Sequence, residues 1–106
     1  MSIYNVINSL KEITPLTLEN AQKFLDEITA LEREQLIAAI YLGREHIHCT
    51  ELKNNDSDVE LSRSYTDHIG SDEYARILHE KGKSINTYLD KLVSCAVVSK
   101  FNLDNL

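Results

Sequence analysis

The sequence predicts an all-α fold, in which five to six helices pack into a single compact domain with an orthogonal or bundle-like arrangement. Three observations favour this class. Apolar residues recur three and four positions apart through most of the chain, which is the period of a helix buried on one face. The 106 residues include only one proline and three glycines, too few for a turn-rich β architecture. A chain of this length is expected to form one hydrophobic core, so we predict one domain over residues 1–106.

The first two predicted helices occupy the N-terminal quarter of the chain. Residues 3–13 carry an apolar stripe that consists of Ile3, Val6, Ile7, Leu10 and Ile13. The next two residues, Thr14 and Pro15, are suited to be an N-cap and a first-turn proline. A second helix is therefore predicted from Pro15 to about Glu27, with Leu18 on its inward face.

A third helix is predicted to begin at a capping box. Thr29 is followed three residues later by Glu32, so each side chain can bond to the backbone N–H of the other residue. The segment Leu36 to Leu42 is apolar all round, which indicates the central helix of the core. Gly43 could end this helix, or the helix could continue through residues 44–48.

The C-terminal half is predicted to contain one polar loop and three further helices. The loop spans about residues 48–58, where Asn, Asp and Ser residues favour turns. A helix is expected at about 59–69, a second from a Ser71 cap to a stop at Gly82, and a third that begins at a Ser84 cap. The tail, residues 102–106, is expected to be frayed.

Three segments of the chain resemble a small helical bacterial family, domain of unknown function 3775, over residues 30–95. The segments are Leu36-Ile-Ala-Ala-Ile-Tyr-Leu-Gly-Arg, Asp67-His-Ile-Gly and Ile85-Asn-Thr-Tyr-Leu-Asp-Lys-Leu. Gly43 and Arg44 are the positions that match the Leu-Gly-Arg element of the family. The resemblance implies an all-helical fold, and it brings no established activity.

The negative charge of the chain is concentrated in one stretch. The formal net charge is -6, and the stretch from Glu51 to Glu73 has seven acids against two bases, Lys53 and Arg63. The other 83 residues, with ten acids and nine bases, are almost neutral. This stretch is therefore a candidate surface for a basic partner.

Tyrosines lie among these acids, which favours a protein interface. Tyrosine is enriched at energetically important interface positions, and carboxylates around it would accelerate the encounter with a positively charged protein. The alternative is that this charged loop and helix face only keep a small domain soluble, because such a surface would have a similar composition. The predicted partner-binding residues are Glu51, Asp56, Asp58, Glu60, Tyr65, Asp67, Asp72, Glu73 and Tyr74.

His46, His48 and Cys49 contain the side-chain types that bind zinc, and Glu51 or His79 could add a further ligand. Residues two apart on a helix point away from each other, so the two histidines could converge only on extended backbone. The chain also lacks a Cys-x-x-Cys pair and a His-Glu-x-x-His element. We therefore predict no metal and no other cofactor.

Acid–base catalysis was considered at the remaining histidines. His68 and His79 lie near Asp67, Asp72 and Glu80 in the sequence, and a carboxylate that orients an imidazole is common in hydrolases. A charged helical surface provides the same neighbours. Because the chain contains no nucleophile elbow and no phosphate-binding glycine loop, we predict that it is not an enzyme.

Direct contact with nucleic acid or with a membrane is not expected. The chain is acidic, and the largest basic cluster that we find is only Arg76, Lys81 and Lys83. The longest apolar run, Leu36 to Leu42, is seven residues long, whereas a spanning helix needs about 20. Residues 1–10 lack the features of a secretory signal, so we expect a cytoplasmic protein.

These features predict a protein-binding inhibitor. The leading hypothesis is a bacterial immunity protein that neutralises a basic nuclease toxin by covering its nucleic-acid site. A phage-derived inhibitor of a nucleic-acid-guided defence complex would need the same acidic surface. A small helical enzyme, either metal-dependent or acting by acid–base chemistry at the histidines, is the alternative from a different class.

Overall fold

Helices account for most of the chain. The computed structural model describes residues 2–53 and 60–106, and no strand occurs within these ranges. The α-helices there are α1 (Ile3–Ile13), α2 (Leu18–Asp26), α3 (Ala30–Glu45), α4 (Tyr74–Lys81) and α5 (Ser84–Ser99). Short 3-10 helices lie at Arg63–Thr66, Ser71–Glu73 and Leu103–Asn105. The predicted all-α domain is confirmed, and each helix in the described ranges is too short or too polar to cross a lipid bilayer.

Helix α3 is the centre of the core, as predicted. It begins at the predicted capping box, in which the Glu32 N–H donates to Thr29 Oγ1 over 3.1 Å and the Thr29 N–H donates to the Glu32 carboxylate over 2.8 Å. All five residues from Leu36 to Ile40 are buried. The most extensive helix contact of the fold joins α3 to α5, and α3 also packs against α1 and the Arg63–Thr66 helix.

Gly43 does not end α3, because the helix continues to Glu45. The glycine instead lies where the backbone of α5 comes close to α3. A Cβ atom at Gly43 would overlap the backbone carbonyl of Tyr88 on α5. The absence of a side chain therefore allows the two longest helices to approach each other.

The second helix starts later than predicted. Thr17, not Thr14, is its N-cap, since Thr17 Oγ1 accepts a hydrogen bond from the Asn20 N–H over 3.1 Å. The Thr14 hydroxyl is engaged elsewhere, where it donates to Asn86 Oδ1 over 2.9 Å. Leu16, between the two threonines, is buried and connects α1 to α2 through the core.

The helix predicted at about 59–69 is wrong. Its described part contains only the 3-10 helix Arg63–Thr66, which is capped by Ser62 Oγ. Ser and Thr side chains in this stretch bond to nearby backbone groups and so compete with a regular helix. The predicted polar loop lies partly outside the described residues, which resume at Glu60.

The predicted serine caps of the last two helices are also wrong. Ser71 opens a 3-10 helix that leads into α4 at Tyr74, and α4 has no side-chain cap bond. Ser84 is the first residue of α5 and likewise caps nothing. Gly82 does separate the two helices, as expected, and its φ of 52° lies in the region that favours glycine.

The tail, residues 102–106, is not frayed, and this prediction is corrected. Leu103 and Leu106 are buried, and the Gln35 side chain donates 3.1 Å hydrogen bonds to the carbonyls of Asp104 and Leu106. The Asp104 carboxylate accepts from the Ile3 N–H over 2.7 Å. Helix α1 has no acid in its first turn, so Asp104 supplies the negative charge that a helix N-terminus favours.

Candidate functional site

Part of the predicted acidic surface lies beside the N-terminal half of α3. Residues 63–74 run along this helix and enclose with it a pocket of about 220 Å³. The residues that line the pocket are Glu34, Arg63, Thr66, Asp67, Ile69, Ser71 and Tyr74. Glu34 and Asp67 are exposed, and so is Asp72, which lies with Glu73 in the 3-10 helix between the lining residues Ser71 and Tyr74. We call Glu34, Asp67, Asp72 and Glu73 the acidic cluster.

Glu34 is the member of the acidic cluster that sequence reasoning missed. It lies on α3, far along the chain from the acidic stretch, and only the packing of residues 63–74 brings it close to Asp67. The electrostatic effect of this proximity reaches Tyr74. Burial raises the pKa of Tyr74 above its ordinary value, and the charges of Glu34 and Asp67 raise it further.

Tyr74 is not the exposed contact residue that we predicted. It is only 6% exposed and belongs to the hydrophobic core, because it begins α4 on the side that packs inward. Tyr65 is half-buried against the same core. Of the two predicted tyrosines, Tyr65 is therefore the one that keeps exposed surface.

The other predicted acids are divided between two places. Glu51 is exposed, but it lies beyond the C-terminal end of α3, where the adjacent Leu52 N–H bonds to Ser99 Oγ over 2.9 Å. About 16 Å of helix separates Glu34 from Glu45 at that end. Glu60 is exposed and precedes the Arg63–Thr66 helix. The predicted contact residues Asp56 and Asp58 lie outside the described residues.

A second feature, a groove between α2 and α4, adjoins the acidic cluster. We call it the α2–α4 groove; its volume is about 930 Å³. Its lining residues are Leu18, Glu19, Gln22, Lys23, Asp26, Asp72, Glu73, Ala75 and Arg76. Asp72 and Glu73 belong to both features, so the acidic cluster continues into the groove. Leu18, which we expected to face inward, is 52% exposed there.

The groove has an excess of negative charge. Four acids and two bases line it. Arg76 Nη2 donates to Glu73 Oε1 over 2.6 Å, and Asp26 accepts from the neutral Gln22 amide over 2.9 Å. Sequence reasoning missed the acids of α2, because Glu19 and Asp26 are accompanied by Lys23 and give no local charge excess on their own.

His46, the first residue of the considered metal site, has a structural role. Its ring is fully buried, and Nδ1 lies 2.7 Å from the carbonyl oxygen of Leu42. A carbonyl can only accept, so Nδ1 carries the proton and donates. The other nitrogen, Nε2, accepts from the Lys53 N–H over 3.0 Å. Both ring nitrogens are thus used to fix the chain that follows α3.

The remaining candidate ligands do not converge with His46. His48 and His68 are exposed, and Nδ1 of His79 is hydrogen-bonded to the Leu16 carbonyl over 2.8 Å. Within residues 2–53 and 60–106, no three His, Cys, Asp or Glu side chains are grouped so that they could hold a metal ion.

Cys95 is a buried core thiol. Its Sγ donates to the Cys49 carbonyl over 3.6 Å, and burial raises the pKa of the Cys95 thiol above its ordinary value. A thiol with a raised pKa is a poorer nucleophile at neutral pH, because less of it is ionised. Cys95 therefore packs the core from the buried face of α5.

Comparisons of the chain with protein-family models, with curated proteins and with solved structures found no match. The resemblance to domain of unknown function 3775 therefore stays a prediction. The acidic cluster and the α2–α4 groove are the two features on which a functional proposal can be built.

Proposed function

We propose that this chain is a protein-binding inhibitor, an immunity protein of a bacterium that neutralises a basic nuclease toxin by covering the toxin's nucleic-acid site. The observation that carries the proposal is the acidic cluster. Glu34 and Asp67 are exposed and line one pocket, and Asp72 and Glu73 lie in the sequence between two further lining residues, Ser71 and Tyr74. Two segments far apart in the sequence contribute to it.

The charge of the acidic cluster supports a basic partner. Its four acids are accompanied by Arg63, which lines the pocket, and by Arg76, which pairs with Glu73. The Glu73–Arg76 pair is largely exposed, and a pair of this kind contributes only about 0.5 kcal/mol, so a partner can readily replace it. The excess of carboxylates would raise the local concentration of a positively charged protein.

A nuclease has the surface that this cluster would complement. An enzyme that binds nucleic acid neutralises phosphates with Lys and Arg side chains, so its substrate site is positively charged. Carboxylates seated in that site would compete with phosphates for the same cations. Exposed charges of this kind accelerate association and make it sensitive to salt.

The inhibition needs no chemistry from this chain. One molecule of the inhibitor occupies one toxin site, and nucleic acid is excluded while the complex lasts. Steering by the acids sets the rate of association, whereas Tyr65 and neighbouring apolar surface would slow dissociation. The proposal places the protein in the cytoplasm, where the toxin would meet nucleic acid.

The test first identifies the partner protein and then measures its nuclease activity in the presence of the chain. Immobilised chain is used to capture proteins from the native host, each captured protein is identified and purified, and its cleavage of nucleic acid is measured while the chain is titrated. The proposal expects a basic nuclease whose activity falls to zero at one equivalent. The triple variant Glu34→Gln, Asp67→Asn and Asp72→Asn should inhibit at least about tenfold more weakly.

The matched control removes three charges elsewhere. The variant Glu12→Gln, Glu45→Gln and Glu80→Gln alters exposed acids outside the cluster and has the same net charge as the test variant. It should inhibit like the unmodified chain. The proposal fails if no captured protein is an inhibited nuclease, or if the two variants lose inhibition equally.

A further inference from the structure

The α2–α4 groove combines apolar surface with acidic edges. Leu18, at the first turn of α2, is half-exposed, and Ala75 of α4 lies in the same groove. A single exposed leucine on a protein surface is ordinary. This one differs because it lies in a groove between two packed helices with carboxylates on both sides.

The two walls of the groove carry the same sign of charge. Glu19 and Asp26 are on α2, and Asp72 and Glu73 are in the 3-10 helix that leads into α4. Lys23 and Arg76 reduce the excess to two negative charges. Of these two cations, Arg76 forms a hydrogen bond to an acid of the groove, Glu73. A ligand that bears phosphate would be repelled by these edges.

The dimensions of the groove fit a helical segment. Helix α2 has nine residues and is therefore about 13 Å long, which matches two to three turns of a helix lying alongside it. A groove between two helices is a common receptor for the apolar face of an amphipathic helix.

We infer that the α2–α4 groove binds a basic amphipathic helix of a partner protein, with an apolar side chain on Leu18 and Lys or Arg side chains beside Glu19, Asp26 and Asp72. This inference specifies how the partner is held. It rests on the proposed function for the identity of the partner. Charge complementarity selects a basic segment, and the exposed Leu18 selects an apolar residue within it.

The test uses three synthetic 12-residue helical peptides and nuclear magnetic resonance of the labelled chain. The first peptide has leucines three and four positions apart among lysines, the second replaces those leucines by serines, and the third replaces the lysines by glutamates. The first peptide should shift the amide signals of residues 18–26 and 72–76, and it should bind at least about tenfold more tightly than the other two.

Two pairs of variants assign the binding to the groove. Leu18→Asn should weaken binding of the first peptide about tenfold, whereas Leu31→Asn, a change at a leucine of nearly equal exposure outside the groove, should leave it unchanged. Likewise, the double variant Glu19→Gln, Asp26→Asn should weaken binding of the first peptide. Its control, Asp67→Asn, changes an acid outside the groove and should have little effect on this binding.

The possible failures are distinguishable. The inference is overturned if the leucine and serine peptides bind equally, or if the signal shifts are confined to residues outside the groove. Either result would leave the nuclease assay of the proposed function unaffected. If the first peptide binds in the groove as described but no nuclease is inhibited, the groove stands and the proposed function fails.

Discussion

At the scale of single residues, His46 shows how a side chain suited to catalysis serves the fold instead. A buried histidine with one donating and one accepting nitrogen needs a partner for each, and Leu42 and Lys53 provide them. The sequence placed His46 next to His48 and Cys49, which suggested ligands. The neighbours in the fold are backbone groups, and these could not be identified from residue spacing.

Replacement of this histidine by alanine tests the structural role. His46→Ala leaves the Lys53 N–H without its acceptor and creates a cavity in the core, so the free energy of unfolding should fall by about 2–4 kcal/mol. Urea unfolding measures the change. The control His48→Ala removes an exposed ring and should alter stability by less than about 0.5 kcal/mol. Equal losses in the two variants would refute the structural role.

The capping box of α3 predicts a dependence of stability on pH. The hydrogen bond from the Thr29 backbone N–H is the largest influence on Glu32 and lowers its pKa below the ordinary value of 4.5, although burial opposes the shift. A lowered folded-state pKa means that the ionised carboxylate stabilises the fold above pH 4.5. This contribution is lost as the pH falls through the lowered value.

The variant Glu32→Gln isolates this contribution. Glutamine keeps an oxygen that can accept from the Thr29 N–H but has no charge to lose, so the unmodified chain should be more stable than the variant at pH 7. The difference should shrink as the pH is lowered below 4.5. Urea unfolding between about pH 2.5 and 7 measures it. A difference that stays constant over this range would contradict the account.

At the scale of elements, the helices with strong local signals were predicted best. The capping box and the all-apolar segment of α3 correctly indicated the start and the central position of that helix. Helix starts that depend on tertiary contacts were missed. Thr14 looked like a cap and bonds to Asn86, whereas Asp104 looked like part of a loose tail and accepts a hydrogen bond from the Ile3 N–H at the start of α1.

The crossing of α3 and α5 is an element-scale prediction. A methyl group at Gly43 would overlap the Tyr88 carbonyl, so Gly43→Ala should force the helices apart. We expect a loss of about 1–3 kcal/mol in the free energy of unfolding, even though alanine favours a helix more than glycine does. Thermal and urea unfolding measure the loss.

A second glycine supplies the control for this crossing. A methyl group at Gly70 would meet only the Asp72 carboxylate, a side chain that can move, so Gly70→Ala should change stability by less than about 0.5 kcal/mol. If Gly43→Ala is as stable as Gly70→Ala, the close approach of the two helices is not a determinant of stability.

At the scale of the whole molecule, the acidic surface is assembled differently from its order in the sequence. Composition identified the acidic stretch, and the fold places Asp67 at the pocket beside α3 and Asp72 and Glu73 in the α2–α4 groove. Packing then places Glu34 of α3 beside Asp67, whereas Glu51 stays near the C-terminal end of that helix, which it follows in the sequence. No local pattern could have indicated the placement of Glu34, because it depends on which segment packs against α3.

The central claim is that the acidic cluster attracts a positively charged protein. The most direct test is the rate of association with the captured nuclease, measured by stopped-flow between about 50 and about 500 mM salt. The account predicts a rate that falls steeply as salt increases, and a slower rate with a weaker salt dependence in the Glu34→Gln, Asp67→Asn, Asp72→Asn variant. A rate that is insensitive to salt, or that is the same in this variant, would contradict it.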